Sequence, residues 1–305
     1  MRLSIVIPTY RRRDALARTL AALEKQEGIE GVEFEVIVVD DPVEDDGGAV
    51  RSVVAADGRP YPARVLDRHA RGVSAARNVG WRAAQARLVL FLGDDIVASP
   101  RLVSEHLDSH ERRGGPTVGV LGHVRWSRDL RVTPFMRWLD RGIQFDYPAI
   151  GGERASWEYF YTANASLPRA LLEQIGGFDE ERFPFLYEDL DVGYRLGMLG
   201  FELLYNRQAA AEHFHPVRLE EWKARMAATA AAERRWVALH PELPAYFHDK
   251  FVDAAGRRRS RGVGRFALGW LPRSVPVLGP RAWHSADIYY RQQLGPSFLD
   301  AWSSG

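Results

Sequence analysis

Three short apolar runs, each ending on polar residues, limit most strongly what this chain can fold into: Leu3–Tyr10 (LSIVIPTY), Phe34–Asp41 (FEVIVVDD) and Arg87–Asp95 (RLVLFLGDD). Runs this short and this rich in Val, Ile, Leu and Phe read as strands buried on both faces of a parallel sheet. Between the first two lies RRRDALARTLAALEKQ, where Leu16, Leu20 and Leu23 recur at helical spacing and Asp14 stands near the start as a candidate cap. A second helical pattern, GVSAARNVGWRAAQA, precedes the third run. Strand, helix, strand, helix, strand calls for right-handed crossovers and hence an open α/β sheet. Ligands of such sheets bind outside the carboxyl ends of the strands, so Pro8–Tyr10, Asp40–Asp41 and Asp94–Asp95 are expected to meet at one crevice.

The 305 residues, 46% of them hydrophobic, suffice for one large domain or a domain with an appendage. Lys and Arg together number 41 and Asp and Glu 40, so the molecule as a whole offers no strong field to a polyanion, and nucleic acid is not expected as a partner. With no cysteine, disulfides, thiol nucleophiles and thiolate metal sites are excluded, and any metal must use oxygen or imidazole. The N-terminal apolar run flows into a patterned strand and helix without a small-residue cleavage site, so it reads as the first strand of a cytoplasmic protein. No window approaches the ~18 apolar residues of a membrane span. Contact with a membrane, if made, is peripheral at the inner face.

From about residue 116 to 177 short β-like runs such as TVGVLGHVRW mix with aromatic, Gly- and Pro-punctuated segments. FPFLYEDLDVGYRLGMLG then begins as a loop and becomes a helix. After His215-Pro216 the character changes to a strong helix, the basic stretch RRRSRGVGR, and a Trp-, Tyr- and Pro-rich tail. The chain is therefore divided into a domain at about 1–216, with a nucleotide-binding half at about 1–115 and an acceptor half at about 116–216, and a helical to irregular extension at 217–305. Two readings of the basic stretch stand side by side: contact with an anionic membrane, or an appendage that packs on the catalytic domain or closes a homodimer.

Taken in order, SIVIPTYRRRDALARTLAAL, VIVVDD, GVSAARNVGWRAA, LVLFLGDD, TANASLPR, GGFDE and YEDLDVGYRL resemble glycosyltransferase family 2, the inverting, metal-dependent GT-A transferases. The likeness runs from Leu3 to roughly Pro216. It implies a GT-A, Rossmann-like α/β fold with a mostly parallel central sheet flanked by helices, followed here by a mainly helical C-terminal appendage. The implied reaction moves a sugar from a nucleoside-diphosphate sugar to the hydroxyl of a glycan, lipid-linked or small-molecule acceptor. Its transition state needs a cation at the departing diphosphate, here Mn²⁺ or Mg²⁺, and a base for the incoming hydroxyl.

Within the resemblance Asp95 corresponds to the last acid of the DxD motif and is the expected metal ligand, with Asp94 orienting the ribose or a metal-bound water. Gly93 stands where the first DxD acid belongs, which removes one carboxylate. His213, in AAAEHFHPV, is the expected metal or diphosphate partner, against the plain alternative of a surface turn. Asp189 corresponds to the catalytic base, with Glu188 able to take the role. Three acids within four residues repel one another, which raises one pKa toward the working range, whereas Asp191 reads as a helix-dipole partner paired with Arg195. Pro8, Thr9 and Tyr10 are expected at the nucleotide, the tyrosine ring stacking on the base. Asp40 or Asp41 accepts an imide N–H of uracil or thymine, which favours UDP- or TDP-type donors. Gly72, Arg77 and Asn78 suit phosphate or base contacts, or else helix capping and a surface cation. Of Arg11–Arg13 at least two are expected to be solvated, with Arg11 the one facing the diphosphate. Asn164 is placed at the donor sugar or acceptor, and Trp157, Tyr159 and Tyr161 either on a sugar face or in core packing, which explains such aromatics equally well.

Two rival readings remain. Gly93 and the sequence DDPVEDDGG, in place of the family's DDGS turn, suit a protein that binds a nucleotide sugar without turning it over. Another nucleotide-using α/β enzyme is disfavoured, because neither G-x-G-x-x-G nor a P-loop follows the first strand.

Overall fold

The computed structural model describes residues 1–29, 33–40, 48–55, 58–67, 72–141, 144–269 and 275–304. Two compact units emerge, Met1–Leu130 with Tyr147–His215, and Arg131–Asp146 with Pro216–Gly305. The first opens with β1 (Leu3–Thr9), α1 (Arg13–Leu23), β2 (Phe34–Asp40), α2 (Ala49–Val54), β3 (Ala63–Asp67), α3 (Val73–Ala83) and β4 (Leu88–Leu92). There follow β5 (Ile96–Ala98), α4 (Leu102–Arg113) and β6 (Val118–Trp126). After α5 (Pro134–Leu139), which belongs to the second unit, the first resumes with β7 (Arg154–Ala155), β8 (Asn164–Pro168), α6 (Arg169–Ile175), α7 (Glu188–Gly197) and β9 (Glu202–His213).

One sheet of nine strands runs in the order β3-β2-β1-β4-β8-β6-β9-β5, with β7 added to β9. From β3 to β4 it is parallel throughout, and beyond β4 it is mixed, because β8 enters antiparallel to both β4 and β6. The apolar runs are buried as their composition requires: Leu3, Ile5, Val6 and Ile7 of β1 and Val36, Ile37, Val38 and Val39 of β2 have no accessible surface. Burying each such side chain is worth about 1.5–3 kcal/mol, and this holds the parallel half in place. Register then aligns the chemistry. Thr9 lies opposite Asp40, and Asp40 opposite Asp67, so three strands end level. The β1–β4 pairing, Leu3 on Leu88 through Val6 on Phe91, extends to bring Thr9 beside Asp94.

The second unit is helical: α5, α8 (Leu219–Leu239), α9 (Tyr246–Gly256) and α10 (Leu278–Ser303), with a 3₁₀ segment at Val263–Gly269. Segment 131–146, assigned from sequence to the acceptor half, groups here instead. The reason is aromatic packing, with Phe135 and Trp138 against Tyr290, and the Trp138 indole N–H donating to Asp287 at 3.1 Å. Buried Glu233 accepts the Phe247 and His248 N–H groups at 2.6 and 2.9 Å, tying the first turn of α9 to α8. The Trp-, Tyr- and Pro-rich tail, part of the extension expected to be helical to irregular, is largely one 26-residue helix: Pro280 sits in its first turn, where no intrahelical donor is lost, and Pro296 is tolerated inside it.

Candidate active site

The opening acids of the site ride on a turn between β4 and β5. The Ile96 N–H donates to the Gly93 carbonyl at 3.2 Å, placing Asp94 and Asp95 at the two corners. Both corner carbonyls are spoken for, Asp94 O by the Thr19 hydroxyl at 2.8 Å and Asp95 O by the Phe214 N–H at 2.8 Å. Gly93 has a local reason. A Cβ there would meet Ile96 Cγ1 at 2.8 Å and Asp95 Oδ1 at 3.1 Å, so a third acid would collide with this turn.

The carboxylates face inward and are buried. Asp94 accepts from the Thr9 hydroxyl at 2.9 Å, as the strand register requires. Asp95 Oδ2 lies 3.3 Å from His213 Nε2, at the end of β9, whose imidazole stacks on Trp126 at 4.9 Å between centroids. Arg12, at the start of α1, donates from Nη1 to Asp95 at 2.6 Å and to Asp94 at 3.3 Å. Burial, reinforced by the charge of Asp95, pushes Asp94 up to about 6. Burial acts on Asp95 too, but the His213 hydrogen bond and the neighbouring cations outweigh it and hold Asp95 at about 2. The turn thus carries one firmly ionised carboxylate beside one that is protonated more easily.

A second acidic cluster opens α7. Leu186 and Tyr187, both at φ near +60°, deliver the chain into the helix through a left-handed turn that non-glycine residues rarely adopt. Asp189 there accepts twice from Thr162, from the backbone N–H at 3.0 Å and the hydroxyl at 2.6 Å. Arg77 donates to Glu188 at 2.9 Å and lies 3.5 Å from Asp189. Asp189 is densely surrounded yet keeps 30% of its side-chain surface open. Burial raises its pKa to about 6, with Arg77 opposing and Glu188 adding to the rise. Asp191, two residues on, is the helix partner expected of it, receiving Arg195 Nε at 3.0 Å.

Of the other residues expected at the donor, Arg11, Gly72, Arg77, Asn78 and Asn164 have partners within the fold, while Pro8, Thr9, Tyr10 and Asp40 stand at the strand ends. Arg11 is exposed and lies over the Tyr10 ring at 5.2 Å, while Arg12, not Arg11, reaches the acids. Arg77 spends its guanidinium on Glu188, and Asn78 donates to the Phe178 carbonyl and Glu180 while accepting from Trp81 and the Phe178 N–H. Asn78 therefore clamps the GGFDE segment. Gly72, at φ +108°, caps α3 against Pro184, whose carbonyl oxygen would lie 2.5 Å from a Cβ. Asn164 is wholly buried, its carboxamide held by His106 at 2.9 Å and by the Ala209 carbonyl at 2.9 Å. Trp157 packs edge-on against Tyr194 of α7. Pro8 and Thr9 stand at the end of β1, Tyr10 is 49% exposed just beyond it, and Asp40 is buried at the end of β2. Asp41 lies outside the described residues. Sequence reasoning missed Arg12, and it put Thr162 in a stretch lining the acceptor side without its pairing to Asp189. Nothing separates Arg12 from its neighbours in RRR until the start of α1 sets the direction of each side chain, and Thr162 acts through a contact 27 residues away in the chain.

Residues 4–174 match the family described as Glycosyl transferase family 2. The chain belongs to this family. The chain is 30% identical over 278 residues to validoxylamine A glucosyltransferase of Streptomyces hygroscopicus subsp. jinggangensis, covering 79% of the chain and 61% of that relative. To pre-mycofactocin glycosyltransferase of Mycobacterium tuberculosis it is 28% identical over 259 residues, covering 79% of the chain and 49% of the relative. The chain thus spans only about half to three fifths of the length of these curated relatives. Among solved structures it is similar to mannosyltransferase PcManGT from Pyrobaculum calidifontis in complex with GDP-Man and Mn²⁺, at TM-score 0.61 and 19% identity, covering 100% of the chain and 88% of the other. S. aureus TarS 1-349 in complex with UDP gives TM-score 0.57 at 16% identity, covering 100% and 91%. The chain therefore has the GT-A fold as well as the family sequence.

Proposed function

We propose that this chain transfers a sugar, with inversion, from a nucleoside-diphosphate sugar of the UDP or TDP type to an acceptor hydroxyl, with Asp189 as the general base. The observation that carries this reading is the Asp189 carboxylate: fixed by two bonds from Thr162, partly open, and raised to about 6. A base with a pKa near the working pH both ionises and accepts a proton efficiently. Glu188, paired with Arg77, tunes Asp189 and holds α7 to α3. On the donor side Tyr10 offers an exposed ring for the base and Asp40 an acceptor at the neighbouring strand end.

The donor set also fits a divalent cation. Asp95 Oδ2 and His213 Nε2 are 3.3 Å apart. Adjacent ligands of an octahedral Mg²⁺ lie roughly 3 Å apart, and such ions take one or two protein ligands and complete their shell from phosphates and water. Asp95 and His213 would hold it, with Asp94 orienting from the adjacent corner, and it would supply Lewis-acid neutralisation of the leaving diphosphate.

A second reading rests on Arg12. Its guanidinium already bridges both acids, so an arginine can supply positive charge at the diphosphate instead. Incubating the protein with UDP-, TDP- and GDP-sugars, with and without Mn²⁺, and measuring diphosphate release and the anomer formed separates the two. Metal-dependent release with an inverted anomer supports the first reading. Retention, or no release from any donor, contradicts it.

A further inference from the structure

Sugar transfer makes no use of one feature of the helical second unit. From Ala254 to Ala286 the chain carries seven arginines and not one Asp or Glu, in a protein whose net charge is only +1. The carboxylates flanking this run are already engaged, Asp253 with Arg257 at 2.9 Å and Asp287 with Arg291 at 3.0 Å. Among the described residues no carboxylate pairs with Arg258, Arg259 or Arg261, and all three are exposed. With Arg265 and Tyr289 they line an open depression of about 640 Å³. The Arg265 guanidinium lies over both the Phe266 and Tyr289 rings, 4.3 and 4.4 Å from their centroids.

Exposed apolar side chains occur on the 3₁₀ segment that carries Arg265 and at the start of α10, the helix against which that segment packs. Val263 is 69% and Phe266 63% exposed on the 3₁₀ segment, and Val277 and Leu278 are 58% and 60% exposed at the start of α10. The backbone explains why Val263 points outward. Gly262 and Gly264 are pressed against Tyr289 and the Ala282 carbonyl of α10, so closely that neither has room for a Cβ, and the residue between them is turned away.

We propose that this face docks on the surface of an anionic lipid bilayer. Free phosphate or nucleic acid would satisfy the arginines but leave Val263, Phe266, Val277 and Leu278 in water. The bilayer interface accepts both kinds of group, aliphatic and aromatic side chains at the headgroup and acyl boundary and guanidinium groups on the lipid phosphates. No helix among the described residues is long and apolar enough to cross a membrane, so the contact is made from the side.

Flotation of the full chain with phosphatidylcholine vesicles, with and without phosphatidylglycerol, at low and high salt, tests the proposal. The protein should float only with the anionic vesicles, and less at high salt. Arg258→Gln with Arg261→Gln should weaken partitioning by about 10-fold or more, and Val263→Ser with Phe266→Ser by a similar factor, while both keep the wild-type circular dichroism and the wild-type nucleotide affinity. Failure to float with anionic vesicles overturns the proposal, all the more if inorganic phosphate binds at the arginines or the serine variant abolishes a dimer seen on gel filtration. Undiminished flotation of the serine variant overturns it equally, since charge alone would then suffice.

Discussion

Replacing Asp189 with asparagine separates proton transfer from the fold. The carboxamide keeps one oxygen for one of the two Thr162 donors, now at 3.0 and 2.6 Å, and turns an N–H toward the other. Losing one hydrogen bond to a charged group costs about 1.5–3 kcal/mol of stability, which leaves a domain of this size folded. The kinetic loss is larger: a positioned base contributes about 10²–10⁴ in rate, or about 3–5 kcal/mol of barrier. Diphosphate release in the presence of acceptor, followed across pH, is the assay. Only the ionised carboxylate accepts a proton, so wild-type kcat/KM should fall tenfold per pH unit below about 6 and level off above it. In Asp189→Asn the rate should fall across the whole range, and any limb left near 6 belongs to Asp94, which burial also raises to about 6. Thr162→Val deletes a hydroxyl that stabilises the ionised form, so its limb should move above 6 while the plateau survives. An Asp189→Asn protein with near-wild-type turnover would refute the assignment of the base.

Arg12→Gln frees the Asp95 oxygen that a dication would share, so the Mn²⁺ concentration giving half-maximal activity should drop severalfold; metal-independent activity that disappears in this variant would favour the arginine reading instead. Asn164→Ala takes from His106 Nε2 and from the Ala209 carbonyl the partner each has in Asn164, while His106 Nδ1 keeps Ser166, and should cost about 1–3 kcal/mol in denaturant melts while changing the donor KM little. A large KM effect at unchanged stability would return Asn164 to the donor site.

Much of this arrangement is legible in the chain itself. Fully buried parallel strands must read as apolar runs, and the run ending at Asp94–Asp95 cannot hide two carboxylates in a sheet interior, so β1, β2 and β4 and the acids at their ends could be located before any coordinates. Less legible were side chains whose partners depend on distant packing. Asn78, Asn164 and Arg77 are polar residues in conspicuous motifs, and sequence alone does not distinguish a polar group held for a ligand from one satisfied by Phe178, His106 or Glu188. Arg12 is the converse case, one arginine of three selected by the turn after β1. The helix α10 was obscured by Gly279, Pro280, Gly295 and Pro296, residues that usually end helices but here sit where tertiary packing outweighs propensity.

Calorimetric titration of UDP, TDP and GDP, each with and without Mn²⁺, into the wild type and Asp95→Ala tests the central claim most directly, that the turn after β4 is the diphosphate end of a donor site. One diphosphate should bind in a Mn²⁺-dependent manner to the wild type and lose that dependence, with most of its affinity, in Asp95→Ala. Equal metal-free binding to both proteins, or no binding of any diphosphate, would contradict it.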